Sequence, residues 1–227
     1  MSFNKIIQMS LQDDQLCKTW EGKSKDFGRN FCIATLSQYT YLLYCDGEFV
    51  GMFKNGMPIY PFSENPQKKP SFFQRKKICQ ATVVCIASGC CFQEYWGTDS
   101  PWLIADDETR EFCAVQAYGS VYFEIGSSSD DVLNFYKTFG QFGSGYVNQR
   151  DVLNKFKSVL VSELGNFFNM ALAENGISLG AQLTPAEQLK LSKSMYRNVK
   201  NMFHRYGIYM NSCTEASLLS GVVIKKP

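Results

Sequence analysis

Residues 111–136 read EFCAVQAYGSVYFEIGSSSDDVLNFY, and the periodicity of the chain changes inside them. From Glu111 to Ile125 the alternation is that of a long strand, with Gly119 as a bulge or a point of close approach. After residue 126 the two-residue period is lost. Ser127 to Asp131 supplies a cap and first-turn acids for a short helix through Tyr136. Upstream of this point the chain reads mainly as strands, and downstream mainly as helices. The fold class is therefore expected to be α+β.

Upstream, residues 31–45 (FCIATLSQYTYLLYC) are rich in β-branched and aromatic types. Asp46-Gly47 follows as a hairpin turn into Glu48–Lys54, and Asn55-Gly56 is a second such turn leading into Met57–Tyr60. Two tight turns so close together predict an antiparallel meander of short strands. Residues 61–70 form a polar, proline-punctuated connection. Two further strands are expected at 78–87 and 90–96, broken at Ser88-Gly89. Downstream, Val152, Phe156, Val159, Leu160, Leu164, Phe167 and Ala171 make one apolar stripe on a helix over roughly 149–174, ended by Asn175-Gly176. Thr184-Pro185-Ala186-Glu187 is a capping box with proline at the first helical position. Leu191, Met195, Val199, Met202 and Tyr206 continue that helix to a stop at Gly207. Ile208–Met210 and Gly221–Ile224 read as short closing strands.

The chain has 227 residues, with 45% hydrophobic and 19% charged side chains, 17 Gly and 7 Pro, which excludes a disordered or fibrous class. Its 18 Phe, 12 Tyr and 3 Trp are a heavy load of ring surface, which needs a core or a partner face to cover it. A net charge of +2 provides no broad basic field, so sequence-independent nucleic-acid binding lacks its electrostatic driver. The nine cysteines are odd in number, irregularly spaced and without a C-x-x-C pair, a pattern that fits reduced thiols in a cytoplasmic setting better than a disulfide scaffold. The N-terminus lacks the apolar core of a secretory signal. The longest apolar stretch, around Ala81 to Cys91, is about half of the ~20 residues that span a bilayer, so membrane contact is expected to be peripheral.

Catalytic constellations are scarce. His204 is the one histidine, placed by the helical reading in a last turn where a cation suits the helix dipole. No phosphate-cradling glycine loop and no nucleophile elbow is present. Asp106-Asp107 and Asp130-Asp131 are adjacent pairs: neighbours on a strand point to opposite faces, and acids at a helix start serve the dipole. The expectation is of no enzyme, no cofactor, no metal and no small-molecule substrate. An enzyme with an unrecognised site built on Cys and His204 is the competing reading.

Between Lys68 and Lys77 the chain reads KKPSFFQRKK, in which Lys68, Lys69, Arg75, Lys76 and Lys77 surround Phe72 and Phe73. Cations beside exposed rings adhere to anionic lipid headgroups, each charge contributing about 1 kcal/mol near such a surface. The other reading is a solvated connection whose phenylalanines fold back onto the sheet.

A family resemblance is carried by residues 96–125. Trp96-Gly97-Thr98-Asp99-Ser100-Pro101 is followed by Asp106-Asp107, Glu111-Phe112 and Ala117-Tyr118-Gly119-Ser120-Val121-Tyr122-Phe123-Glu124-Ile125. This block resembles the central stretch of the bacterial soluble, "virion core protein-like" branch of the SPFH superfamily, whose distant relatives are stomatin, prohibitin and flotillin. That branch shows W-G-T-x-x-P, an acidic residue with Glu-Phe-Gly or similar, and A-x-G-x-Y-x-x-x-I. Here Trp96 would pack the end of a strand, Gly97 allow a turn, Thr98 continue the motif and Pro101 open the next extended segment. Gly119 would let the strand carrying Tyr122 curve, and Gly207 would begin the "G-I" closing strand. Trp102 stands where the branch usually has a smaller aliphatic, and Glu215 falls near a position that is usually apolar.

The resemblance implies that residues 1–227 form one SPFH-like domain, with a β-rich lobe at 1–126 and a helical lobe at 127–227. Its expected outline is an N-terminal antiparallel meander or curved sheet, then three helices and a short closing strand. It further implies a non-catalytic, stomatin-like scaffold in the cytoplasm, one that forms a homo-oligomer or docks protein partners at the membrane face. A structural subunit of a shell- or vault-like particle is the alternative. Family members usually continue into a long coiled coil, so the parts that drive rings and anchoring are expected to be missing or supplied by a partner.

Overall fold

The computed structural model describes residues 6–28, 30–69, 78–106, 111–140 and 145–225. In chain order the elements begin with β1 Ile6–Gln8, β2 Gln15–Lys23, α1 Ser24–Phe27, β3 Cys32–Ala34, β4 Thr40–Cys45 and β5 Glu48–Phe53. They continue with β6 Gln80–Ile86, β7 Cys91–Gly97, β8 Trp102–Ala105, β9 Phe112–Ile125, α2 Ser129–Phe139 and β10 Tyr146–Asn148. The last are α3 Gln149–Asn175, α4 Pro185–Val199, a 3₁₀ turn His204–Tyr206, β11 Ile208–Met210, α5 Thr214–Ser217 and β12 Gly221–Lys225. The chain is α+β. It divides into two compact units, 1–90 with 125–149 and 91–124 with 150–227, each of which takes residues from both sides of the 126/127 period change.

The first unit is built on a five-stranded sheet in the order β10-β2-β6-β4-β5, with every pairing antiparallel. Both tight turns form as read. Asp46 and Gly47 have φ of 50° and 86°, and Asn55 and Gly56 have 63° and 70°; two successive left-handed residues match the twist of a two-residue hairpin. The simple meander is corrected, however. Only β4 and β5 are sequential neighbours, because β6 inserts between β4 and β2. The segment after Asn55-Gly56 makes one bridge, Ile59 to Ile33, rather than a strand.

Residues 31–45 divide into β3 and β4. Between them the chain turns: the Tyr39 N–H donates to the Leu36 carbonyl (3.2 Å). The Tyr41 hydroxyl secures this turn from inside, accepting from the Leu36 N–H and donating to the Met9 carbonyl, both at 2.9 Å. Tyr41, Leu43, Ala81, Val83 and Cys85 face a core that also takes Phe31, Ile33 and Phe62. On the opposite face α2 approaches, with the Tyr44 and Tyr136 rings 5.7 Å apart. Ser128 caps α2 through the Asp131 N–H (3.1 Å), the role read for the Ser127–Asp131 stretch.

The second unit centres on β9. β7 and β8 pair along it through residues 118–124 and 112–115, while β12 and β11 are its other partners. The odd-numbered side chains Cys113, Val115, Val121 and Phe123 are buried. Phe203 packs on Phe123 (6.0 Å) and stacks on Phe156 of α3 (4.5 Å), so the helices cover this face. On α3 the buried stripe is Val152, Phe156, Leu160, Leu164, Phe168, Ala171 and Leu172. Val159, read as part of it, is 51% exposed, and Phe168 rather than Phe167 is fully buried. Four-residue steps select a narrower stripe than the mixed pattern does.

Helix α4 opens with the capping box in full. The Glu187 carboxylate accepts from the Thr184 N–H (2.8 Å) and hydroxyl (2.7 Å), and the Glu187 N–H returns to Thr184 Oγ1 (3.3 Å). Those bonds hold the Glu187 carboxyl below its ordinary range. Thr184→Ala is expected to lower stability by about 1 kcal/mol at neutral pH in chemical denaturation. Because the folded-state pKa of Glu187 is depressed, the part of that advantage carried by the Thr184 hydroxyl on the Glu187 carboxylate is present above the unfolded value and fades as pH falls through the folded one, while the bond from the Glu187 N–H to Thr184 Oγ1 persists. The helix ends at Val199, short of the expected residue 206. Bonds from Met202 to Val199, His204 to Asn201 and Tyr206 to Phe203 tighten the chain into three-residue turns. Phe203, not Met202 or Tyr206, is the buried anchor there. Gly207 closes the turn at φ 74°.

Candidate functional site

Lys68 and Lys69 are exposed, at the end of a loop tied by bonds from the Lys68 N–H to the Asn65 carbonyl (3.0 Å) and from the Gln67 N–H to Asn65 Oδ1 (3.1 Å). Phe72, Phe73, Arg75, Lys76 and Lys77 lie outside the described residues. Downstream, the Asp46 carboxylate accepts from the Cys79 and Gln80 N–H groups (3.1 and 2.9 Å).

The 96–125 block has a definite structural job. The Trp96 indole is buried and donates to the Leu218 carbonyl (3.0 Å). It stacks on Trp102 (6.0 Å), which in turn meets Phe168 (5.7 Å). Room for Trp102 comes from Gly165 of α3, where a Cβ would lie 3.1 Å from the indole. Thr98 brackets Ala117: its N–H donates to the Ala117 carbonyl (3.0 Å), and its Oγ1 accepts from the Ala117 N–H (3.2 Å). Pro101 immediately precedes β8, as expected of a residue that opens an extended segment. Gly97 is corrected: it remains extended in register with Tyr118, and a Cβ there would meet nothing closer than 3.7 Å. Gly119 is a close approach rather than a bulge, since its Cβ would fall 2.1 Å from the Leu218 carbonyl oxygen. The Tyr122 backbone exchanges bonds with Thr214 Oγ1, at 2.9 and 3.2 Å.

Beside this block, Asp99, Pro101, Trp102, Asn154 and Lys157 line an open groove of about 620 Å³. Lys157 and Asp99 pair across it at 3.8 Å, but Asp99 is 90% exposed, and an ion pair so wet contributes little.

Four of the thiols run against nucleophilic chemistry. Burial raises Cys17 and Cys32 above the ordinary thiol range and pushes Cys85 up to about 12. Burial, then Cys213 and Glu124, raises Cys91. Activation of a thiol requires the opposite direction. His204 is exposed, in the 3₁₀ turn instead of a helix, with its ring 4.6 Å from Tyr209. Asp106 is buried and accepts from the Ser178 hydroxyl (3.2 Å); Asp107 lies outside the described residues.

What no motif announced is the outer face of the second sheet. Tyr95 is 73% exposed, Leu103 74%, Phe112 64% and Tyr118 57%. The sequence signal was present in β9, where apolar residues occupy both parities: Phe112 and Tyr118 on one side, Cys113 and Val115 on the other. Such a strand carries large apolar side chains on both faces, and only one of the faces meets the helices. Compared with protein-family models the chain matches none, and no curated protein matches it.

Proposed function

We propose that this chain is a non-catalytic, SPFH-like scaffold that self-associates, docks partners or does both, with peripheral contact at the cytoplasmic face of a membrane. The observation that carries the reading is the use made of residues 96–125. Trp96, Thr98 and Gly119, which carry the family resemblance, all serve to join β7, β9 and the segment before β12. A motif spent on packing, beside thiols raised by burial, fits a protein whose product is an assembled surface. Among the described residues no helix is long and apolar enough to cross a membrane, in keeping with peripheral contact.

Flotation with liposomes containing anionic lipid tests the membrane half. The wild-type protein is expected to float, and Lys76→Glu with Lys77→Glu to abolish flotation, because reversing two charges removes about 1 kcal/mol for each and adds repulsion. Flotation unchanged by the substitutions would retire the 68–77 segment. Light scattering on a sizing column tests the assembly half: a closed ring or large particle favours assembly, and a monodisperse monomer favours an adaptor.

A further inference from the structure

The exposed side of the β9 sheet is a built surface. Its register sets Tyr95 opposite Ser120, Leu103 opposite Ala114, and Ala105 opposite Phe112, with Gly97 and Gly221 on either side of Tyr118. Val223, 44% exposed, lies beside Gln116. The Tyr118 ring is laid across Gly221, where a Cβ would fall 2.3 Å from Cζ, and this broadens the apolar plane. Among the described residues of β7, β8, β9 and β12 that share this parity, the charged ones stand only at the two ends. Lys225 sits beside Ala114, and Glu124 sits beside Cys91.

We propose that this face is the contact between two copies of the chain, packed sheet on sheet about a two-fold axis with the two β9 strands antiparallel. The inference deepens the scaffold reading and rests on it. Area favours a second copy. The five large side chains expose roughly 600 Å² together, at the top of the range for a patch on a monomer. Two such faces bury roughly 1,200 Å², the lower end of specific interfaces.

Charge selects the orientation. Residues 114 and 124 lie equally far from Gly119 on β9, so an antiparallel stack centred there brings each Lys225 to the Glu124 end of the other copy. A parallel stack would instead bring like charges together. The same antiparallel register sets Tyr95 against Gly97 and Tyr118 against Ser120, large against small, at the ~10 Å spacing of packed sheets.

The test is sedimentation equilibrium on the full chain over a concentration series. Tyr95→Glu and Leu103→Glu, at side chains that are mostly solvent, are expected to leave circular dichroism unchanged and to weaken dimerisation about 30-fold or more. Lys225→Glu and Glu124→Lys are each expected to weaken it about 3–5-fold, and the two together to restore it. Should either face variant misfold, the charge swap alone decides. A wild-type assembly indifferent to all four substitutions overturns this face and leaves the scaffold reading standing. A wild-type monomer that still floats with anionic liposomes also overturns the face while sparing the membrane half. A monomer whose flotation is lost in Tyr95→Glu shows that lipid, not a second copy, is the occupant. A monomer that does not float removes both the face and the membrane half, and leaves the scaffold reading only as a docking site for protein partners.

Discussion

Gly119→Ala is expected to destabilise the second unit by about 3 kcal/mol or more, and Gly119→Val further still. The added Cβ would sit 2.1 Å from the Leu218 carbonyl oxygen, 2.7 Å from its carbon and 2.8 Å from the Ser217 carbonyl oxygen. All three are backbone atoms, so no rotamer change relieves the overlap. Nor can the segment simply retreat. The Leu218 oxygen accepts from Trp96 Nε1 at 3.0 Å, and the Ser217 hydroxyl donates to the Ser120 carbonyl at 3.1 Å. Backing away would orphan a buried indole N–H, itself an expense of about 1–3 kcal/mol. Gly97→Ala is the control, since its Cβ meets only ordinary contacts at 3.7 Å and should change stability by about 0.5 kcal/mol or less. Urea denaturation followed by tryptophan fluorescence compares the two. Equal midpoints for both variants would mean that the approach of Leu218 to β9 is wrong.

Phe31→Ala carries the largest effect expected in the first unit, about 3–5 kcal/mol. Phe31 is fully buried and stands at the centre of a ring cluster. It stacks on Trp20 at 5.1 Å and 23°, with Phe27 at 4.6 Å and Phe62 at 6.0 Å. Truncation leaves a cavity walled by rigid rings that collapse poorly into it. Phe31→Leu keeps most of the volume and is expected to lose about 1.5 kcal/mol or less. Trp20 emission should shift to the red in the alanine variant as water reaches the indole. Were Phe31→Ala to lose less than about 1 kcal/mol, Phe31 would not be the keystone of this cluster.

Both effects depend on contacts between residues far apart in the chain, whereas the local signals act over a few positions. Asp46-Gly47, Asn55-Gly56, the Ser128 cap, the Thr184–Glu187 box and Gly207 all behave as their residue types demand. Residues 31–45 read as continuously strand-like, yet the short polar interval Ser37-Gln38 lets the chain reverse, and a tyrosine hydroxyl from further along completes the turn. β2 went unread because its lysines and glutamate mask the period; its place in the sheet comes from pairing with β6 over seven residues. The helix expected to reach 206 stops at Val199 because the buried anchor is Phe203, off the stripe that the spacing suggested. Of the proposed membrane residues only Lys68 and Lys69 fall among those described.

Taken alone, the order of residues determined the local events: where the chain turns and where helices start. Each is settled by groups a few positions apart, through the φ preferences of glycine and asparagine and the hydrogen-bonding reach of a capping side chain. Strand order, the two interleaved units and the uncovered face of β9 were decided only in three dimensions. These depend on partners such as Trp96 and Leu218, 122 positions apart, whose contact is favourable only once the sheet between them exists. Alternation along β9 puts large apolar side chains on both faces, but the helices can cover just one of them, and tertiary packing chose which was left bare.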